Sequence, residues 1–401
     1  MVVFVLNKHG KPLMPCTPCK AKKLLRNKRA RVVKRTPFTI KLLGWSSGYV
    51  QKVTVGMDTG SKKVGVAAIS NNKVLYQSEI TLRNDIVKKM KQRASYRRTR
   101  RARKLRYREP RFSNRGKKGF LAPSMLSKIN SHLKEKKFVE SILPVFEWIL
   151  ETASFDIHKI TSPTVKSKGY CKGILKDYYN VKQYILHRDN YKCQKCKKGN
   201  LKLHVHHIIF RSEGGTNESK NLICLCDECH DKLHKGIFTI KGSKSKTKYA
   251  TEMNILRSQL KKIFGNFKET FGYITKYTRE QILKLEKSHI NDAISIACND
   301  QEIVYSNVLL FKKSISKGDY QQTNGIRSEK RIPTGKLFGF RKFDKVKYNN
   351  NLYFIKGRMS SGYAILCDIF GLKQSLKPIP KFNKMERMDA RKSIQLMEII
   401  V

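Results

Sequence analysis

Short β-branched runs separated by glycine turns dominate the first eighty residues. The runs VVFVL and FTIKLL (residues 2–6 and 38–43) predict two strands on either side of a basic element, KKLLRNKRARVV. The stretch KVTVGMDTGSKKVGVAAIS (residues 52–70) predicts a strand, a turn at residues 59–62 and a second strand. The chain therefore opens with β-rich structure.

Helical and strand patterns alternate in the rest of the chain. LKEKKFVESILPVFEWILETASFDI predicts a helix that leads into a buried strand ending at Glu151. The segments ATEMNILRSQLKKIF and KLEKSHINDAISIACN have helical spacing, and KGSKSKTKY before them has the composition of a linker. From about residue 317 the sequence is turn-rich, with short strands such as LYFIKGR and GYAILCDI, which predicts a small β-rich module.

The charge balance favours a nucleic-acid partner. The 401 residues include 85 Lys and Arg against 30 Asp and Glu, a formal net charge of +55. So many like charges repel one another in a folded chain unless a polyanion neutralises them. The alternative is a cationic surface that serves solubility alone.

Residues 83–118 concentrate this charge and predict a long basic helix that ends before Pro110. Basic residues occupy every face, so the helix has no wide apolar stripe, and Ile86, Val87, Met90 and Leu105 offer limited packing. We expect it to bind phosphates; the alternative is a solvated surface helix. The candidate nucleic-acid ligands are Arg93, Arg97, Arg98, Arg100, Arg101, Arg103, Lys104, Arg106 and Arg108.

The chain is expected to remain in the cytoplasm. Its first apolar run is too short for a signal-peptide core, and no segment approaches the ~18 apolar residues that span a membrane. Thiols stay reduced in that compartment, so the ten cysteines are expected to be metal ligands or core residues rather than disulfides.

Two paired cysteine motifs predict a structural zinc site. Cys193-x-x-Cys196 and Cys226-x-x-Cys229 can present four thiolates tetrahedrally, which suits a closed Zn²⁺ site. Cys224 lies outside the pairing and is expected to be buried in a strand.

A histidine-rich strand, LHVHH, lies between the two cysteine pairs. Side chains alternate along a strand, so His204 and His206 share one face and His207 points to the other. His230 and His234 are four residues apart and share one face of a following helix. One strand can thus serve both a metal and a base, while His204 is interpreted as structural and His234 stays ambiguous.

Three separated acidic elements form a second candidate site. Asp58 precedes a turn, Glu151 ends an apolar strand, and Asp292 lies three residues after His289 on one helical face. A carboxylate at the end of a buried strand is costly unless it binds a cation. Ordinary turn and cap acids are the alternative.

The stretch HHIIFRSEGGTNESKNLICLCDECH resembles the HNH nuclease signature, a ββα-metal unit. The resemblance implies that His207 is the general base, that His206 and His230 hold Mg²⁺, and that Asn221 orders the loop or the metal site. Many members carry Asp at the position of His206, so this chain has one less negative charge at the ion. A zinc knuckle without nuclease activity is the alternative.

The acidic elements resemble the three split pieces of a RuvC-type nuclease with an RNase H-like fold. The resemblance implies that Asp58, Glu151 and Asp292, with His289, form a catalytic site in which the carboxylates hold two Mg²⁺ ions. The order of the pieces, together with Pro12-Leu13-Met14-Pro15, is similar to IscB, a family of transposon-associated RNA-guided nucleases.

The resemblance to IscB implies an α+β multidomain chain with an RNase H-like (RuvC) mixed sheet assembled from three segments, an inserted HNH domain with a four-cysteine zinc site, a long basic bridge helix and a small β-rich C-terminal module. The implied segments are a PLMP domain (1–48), RuvC-I (49–82), the bridge helix (83–118), RuvC-II (119–162), HNH (163–243), RuvC-III (244–315) and the C-terminal module (316–401).

The implied activity is RNA-guided double-strand DNA cleavage. A guide (ω) RNA would pair with the target strand, HNH would cut that strand, RuvC would cut the other, and the C-terminal module would read a short flanking DNA motif. The protein is expected to be monomeric within a ribonucleoprotein. The alternatives are an unguided HNH endonuclease of a mobile element and a catalytically weakened RNA-guided DNA-binding protein.

Overall fold

A computed structural model describes residues 2–102, 121–156, 159–160, 175, 178–210, 213, 215–242, 247–298, 303–316 and 335–400, with backbone alone for residues 100–102 and 248. The chain divides into two compact units, Met1–Ala153 with Ile255–Val401, and Ser154–Asn254. Within the described ranges, none of the helices combines the length and the apolar character that crossing a membrane demands.

The strands are β1 (Val3–Leu6), β2 (Pro12–Cys16), β3 (Ala30–Lys34), β4 (Thr39–Leu42), β5 (Val53–Asp58), β6 (Lys63–Ser70), β7 (Lys73–Thr81), β8 (Val145–Glu151), β9 (Leu203–His207), β10 (Leu222–Cys226), β11 (Lys268–Thr270), β12 (Val308–Ser314), β13 (Lys345–Tyr348), β14 (Asn351–Arg358), β15 (Ala364–Cys367), β16 (Glu386–Asp389) and β17 (Ile394–Ile400).

The α-helices are α1 (Pro18–Arg26), α2 (Ile86–Ala102), α3 (Pro123–Glu140), α4 (Val181–Arg188), α5 (Asp227–His234), α6 (Thr247–Ile263), α7 (Gly272–Tyr277) and α8 (His289–Ala297). A π-helical segment, Thr278–Ile282, follows α7.

The first sheet has four strands in the order β2-β1-β4-β3. Its core contains Val3, Val5, Leu13 and Ile40, so the two predicted apolar runs are the strands that hold it together. The basic element between them consists of α1 and β3, and the helix begins where the Thr17 hydroxyl accepts a hydrogen bond from the Lys20 backbone N–H.

A seven-stranded mixed sheet, in the order β11-β8-β5-β6-β7-β12-β17, is the centre of the larger unit. Strands β5, β6 and β7 form an antiparallel meander, whereas β8 runs parallel to β5 and β11 parallel to β8. Only Trp148 and Leu150 of β8 are buried, so the strand predicted to be buried has one half-exposed face.

Two expectations for element boundaries and one for side-chain packing are wrong. The helix predicted from KLEKSHINDAISIACN begins only at His289, because the Ser288 side chain caps it by accepting from the Asn291 backbone N–H at 3.0 Å. Helix α6 begins at Thr247, inside the expected linker. Val87, expected to add limited packing, is 58% exposed.

The C-terminal part is not a separate module. Strands β13 to β16 form their own antiparallel sheet around Val346, Ile355 and Leu366. Strand β17 instead pairs along its whole length with β12 and joins the seven-stranded sheet. Residues 335–400 therefore contribute both a small sheet and one strand of the central sheet.

Two glycines let helix α8 lie against the central sheet. A Cβ atom at Gly56 would lie 2.3 Å from the Ala293 carbonyl oxygen, and one at Gly65 would lie 1.7 Å from the His289 carbonyl oxygen. Any side chain at either position would push the helix away. This close approach fixes the height at which His289 and Asp292 lie over the sheet.

A buried ion pair joins α3 to the sheet. Lys312 Nζ donates to both carboxylate oxygens of Glu135, at 2.9 and 2.8 Å, and to the Tyr76 hydroxyl at 2.6 Å. Ser78 also donates to Glu135, at 2.9 Å, and Lys312 Nζ lies 3.4 Å from the ring centroid of Phe138. Burial lowers the pKa of Lys312 to about 8 against the opposing charge of Glu135.

Removal of one partner of this pair should destabilise the larger unit. Lys312→Met leaves a buried carboxylate without its countercharge, and such a loss costs about 3–5 kcal/mol of unfolding free energy. Urea unfolding monitored by circular dichroism measures the change. Lys392→Met, which removes a partner from an exposed pair with Asp389, should change stability by less than about 1 kcal/mol. Equal effects of the two variants would contradict the structural importance of the buried pair.

Candidate metal centres and carboxylate edge

Two candidate carboxylates lie side by side at one edge of the central sheet. Asp58 is the last residue of β5 and Glu151 the last residue of β8, and the parallel register pairs their Cα atoms directly. Thr270, the last residue of β11, is the next partner in the same row. The ends of three parallel strands therefore form a carboxylate edge, defined by Asp58 and Glu151.

Helix α8 brings the other two predicted residues to this edge. His289 Nδ1 lies 2.5 Å from Asp58 Oδ2. Asp292 forms an ion pair with Nη1 of Arg279, a buried residue of the π-helical segment that also donates to Glu280 at 2.6 Å. Arg279 was not anticipated, because nothing in the local pattern links it to a residue 13 positions later.

Mutual repulsion and burial shape the electrostatics of this edge. Burial raises the pKa of Asp58, and the hydrogen bond from His289 partly offsets it. Burial also raises the pKa of Glu151, the hydrogen bond from Thr275 opposes this, and the charges of Asp58 and Asp292 raise it further. Crowded carboxylates of this kind gain from a nearby cation.

The carboxylate edge has some, but not all, of the features of a metal site. Over the described ranges, the groups of three or more potential ligand atoms within 4.8 Å of one another consist of cysteines or histidines, not of these acids. Arg279 already supplies a positive charge to Asp292. The acids are close enough to interact electrostatically, but their oxygens do not converge as tightly as the other two sets.

The four predicted cysteines converge in the smaller unit. The Sγ atoms of Cys193, Cys196, Cys226 and Cys229 all lie within 4.8 Å of one another. Burial would raise the pKa of Cys193, but hydrogen bonds from the backbone of Cys196, Cys226 and Lys195 lower it to about 6. Burial and the neighbouring thiols raise the pKa of Cys229 to about 12. Four thiols in this arrangement, one of them already acidic, fit a structural zinc ion. Cys224 is buried as expected, and its thiol donates to the Ile185 carbonyl instead.

Three histidines form a second compact ligand set. Nitrogen atoms of His206, His230 and His234 lie within 4.8 Å of one another, and the Nε2 atoms of His230 and His234 are 3.3 Å apart. Nε2 of His206 is buried without a hydrogen-bond partner among the described residues. Burial, then the neighbouring imidazoles, lowers the pKa of His206 to about 4, so the ring is neutral and can accept a metal.

His234 is a member of this set that the sequence left ambiguous. Its only signal in the sequence is the four-residue spacing from His230. That spacing makes a ligand set only if the strand of His206 packs on the same helical face. Strand β9 pairs with β10, which leads directly into α5, and this hairpin and helix bring the three rings together.

His204 contacts the same cluster from its edge. Its ring stacks on that of His230 with centroids 5.3 Å apart and an interplanar angle of 27°. Its Nε2 lies against the Asp227 carboxylate. His204 therefore packs against a candidate ligand and lies on the same strand face as His206.

His207 and Asn221 make different contacts. Nε2 of His207 lies 2.9 Å from the Asn217 side-chain oxygen. The Asn221 side chain accepts from the Ile209 N–H at 2.8 Å and donates to the carbonyls of Ile209 and Thr216 at 3.1 and 2.9 Å. Asn221 thus ties together the two ends of the loop between β9 and β10.

The described part of the basic segment is helix α2. Arg93, Arg97 and Arg98 are exposed on it. Arg100 and Arg101 lie within its backbone range, whereas Arg103, Lys104, Arg106 and Arg108 lie outside the described residues. The exposed arginines can reach a phosphate backbone without rearrangement of the core.

Comparisons with known proteins match two parts of the chain. Residues 3–173 match the family described as RRXRR protein, and residues 193–236 match the HNH endonuclease family. Anaredoxin of Nostoc sp. is 35% identical over 60 residues, which are 15% of this chain and 79% of anaredoxin. The type IV methyl-directed restriction enzyme EcoKMcrA of Escherichia coli is 39% identical over 62 residues, 14% of this chain and 22% of that enzyme. The chain thus spans about a fifth of the restriction enzyme.

The cysteine cluster should hold one structural zinc ion. Cys229→Ser removes one thiolate and is expected to abolish zinc binding and unfold the smaller unit, because such a unit depends on its metal for folding. Inductively coupled plasma mass spectrometry of the purified protein measures zinc per chain. Cys224→Ser, in the same region but outside the cluster, should retain the parent zinc content. Loss of zinc in both variants, or in neither, would contradict the assignment.

Proposed function

Because the chain belongs to the IscB-like nucleases, we propose that it is an RNA-guided DNA endonuclease with two separate cleavage centres. The observation that carries the proposal is the His206–His230–His234 cluster beside His207, within the region that matches the HNH endonuclease family. That match and the restriction-enzyme relative support a DNA-cleaving hydrolase. RNA guidance is a further part of the proposal, and its support is the charge of the chain.

His207 is proposed as the general base of the HNH centre. With its Nε2–H donating to Asn217, the neutral imidazole carries its acceptor lone pair on Nδ1. Nδ1 takes a proton from the attacking water, whose oxygen bonds to phosphorus as the bond to the 3′ oxygen breaks. Asn221 holds the loop that carries Asn217, and thereby keeps His207 in one orientation.

His206, His230 and His234 are proposed to hold the HNH metal ion. Imidazole ligands suit zinc and other transition ions, whereas Mg²⁺ prefers oxygen ligands, so the Mg²⁺ expected here is less well matched to three nitrogens. The bound ion would polarise the phosphate and stabilise charge on the leaving oxygen.

The carboxylate edge is proposed as the RuvC-type centre, with Asp58, Glu151 and Asp292 as Mg²⁺ ligands. Its support is the sheet order, in which an antiparallel meander is followed by parallel strands on the side of β5, as an RNase H-like fold requires. His289 orients Asp58 through the 2.5 Å contact. Arg279 orients Asp292 and would have to share that carboxylate with the ion.

Guide RNA binding is supported by charge. The net charge of +55 and the exposed arginines of α2 suit a helix that holds a guide–target duplex by its phosphates. Base pairing would then read the target, and the C-terminal sheet would read a short flanking motif. The partners proposed are therefore a guide (ω) RNA and double-stranded DNA.

An unguided HNH endonuclease is the second candidate. The observation that favours it is that the cysteine and histidine clusters both lie within residues 193–234, so this unit is chemically complete without the carboxylate edge. The presence of Asp58, Glu151 and Asp292 at one edge supports the two-centre proposal instead.

Single substitutions should separate the two cleavage centres. With a programmed guide RNA and Mg²⁺, His207→Ala should cut only the displaced strand, and Asp58→Ala should cut only the guide-paired strand. Each should lower cleavage of its own strand by at least about 100-fold, because His207→Ala removes the proposed general base and Asp58→Ala removes a proposed metal ligand. Denaturing gels of a target labelled differently on each strand provide the measurement.

Exposed residues outside both centres serve as controls for these variants. His9→Ala and Asp389→Asn should cut both strands at the parent rate. Loss of both cuts in each single variant would contradict separate centres. A parent protein that copurifies with no discrete RNA and cuts without one would contradict guidance.

A further inference from the structure

We propose that the side chains of Phe271, Tyr273 and Tyr277 form a base-stacking surface for single-stranded DNA beside the carboxylate edge. We call these three residues the aromatic surface. The inference rests on the proposed function. It adds that the DNA at the carboxylate edge is single-stranded.

The sheet register sets the position of this surface. Thr270 pairs with Glu151, and Glu151 pairs with Asp58, so the three residues lie in one row across β11, β8 and β5. Neighbouring strands are about 4.8 Å apart. Phe271 directly follows Thr270, and a Cβ atom at Gly272 would lie 3.0 Å from Glu151 Oε1. The aromatic surface therefore begins within two strand widths of Asp58.

The segment that carries these rings has an inverted burial pattern. Phe271, Tyr273 and Tyr277 are 41%, 73% and 63% exposed, while the polar Thr275, Thr278 and Arg279 are buried. A helix stabilised by ordinary core packing buries its large apolar side chains instead. The exposed rings are thus not explained by the packing of the larger unit.

The geometry of the rings suits nucleobases. The planes of Phe271 and Tyr273 are 6° apart, with centroids separated by 6.2 Å. Aromatic side chains bind unpaired bases by stacking, and every base offers a π face. Bases inside a duplex are covered by their neighbours, so the ligand is a single strand. The net charge of +55 attracts its phosphates.

The position of the aromatic surface favours DNA rather than RNA as its ligand. A strand that is to be hydrolysed at Asp58 and Glu151 must pass over the ends of β5 and β8, and the aromatic surface follows the end of β11 in the same row. Stacking of two or three bases there would hold the adjoining phosphate at the carboxylates.

Binding of a fluorescein-labelled oligothymidine to the full-length protein tests the inference. Measurements use buffer without Mg²⁺, and salt at about 0.3 M to weaken non-specific phosphate contacts. Phe271→Ala, Tyr273→Ala and Tyr277→Ala should each weaken binding by about 5- to 100-fold, the range of a lost base stack. Tyr273→Phe should keep parent affinity because it keeps the ring.

Phe146→Ala is the matched control. Phe146 is 65% exposed and lies on β8 as well, but at the opposite end of that strand from Glu151. The Phe146→Ala variant should bind the oligonucleotide with the affinity of the parent protein. Parent affinity in all three surface variants, or an equal loss in Phe146→Ala, would overturn the inference.

Photocrosslinking identifies the occupant. A target whose displaced strand carries 5-iodouracil should crosslink to the peptide that contains residues 271–277 in the guide-loaded complex. Crosslinks to this peptide from the guide RNA alone, or none from the displaced strand, would overturn the assignment to DNA. Oligothymidine binding needs neither guide nor cleavage, so its outcome is independent of whether the parent proves to be a guided nuclease.

Discussion

The parallel pairing of β5 with β8 is the constraint on which the carboxylate edge depends. It places Asp58 and Glu151 side by side although helices α2 and α3 lie between them in the sequence. Burial raises the pKa of both groups; the charge of Asp292 raises the pKa of both further, and the charge of Asp58 adds to that of Glu151. The fold therefore holds two acids in positions that disfavour an isolated anion. Cation binding is the chemical outcome that such an arrangement favours.

Close packing of α8 on the sheet completes the edge. Gly56 and Gly65 are required because the helix backbone occupies the space that a side chain would need. Gly60 answers a different need, since a Cβ atom there would lie 1.9 Å from the Lys63 carbonyl oxygen. The glycines around Asp58 are therefore required by one tight turn and by one closely packed helix.

Local patterns predicted the parts of the structure that depend on near neighbours. The strands flanking Asp58, the paired cysteines and the shared face of His204 and His206 follow from spacing alone. Three features could not be predicted from local patterns, because each depends on tertiary neighbours. They are the return of β17 to the central sheet, the contact of Arg279 with Asp292 and the exposed rings of the aromatic surface. His234 lies between these cases, since its spacing was visible but its partner strand was not.

Anomalous diffraction from crystals soaked in Mn²⁺ tests most directly whether the carboxylate edge is a metal centre. Mn²⁺ replaces Mg²⁺ at oxygen ligands and scatters anomalously. We expect anomalous density between Asp58 and Glu151, with Asp292 turned toward it, and a separate zinc peak among the four cysteines. An intact Asp292–Arg279 pair with no density at the edge would show that the carboxylate edge does not bind a metal ion.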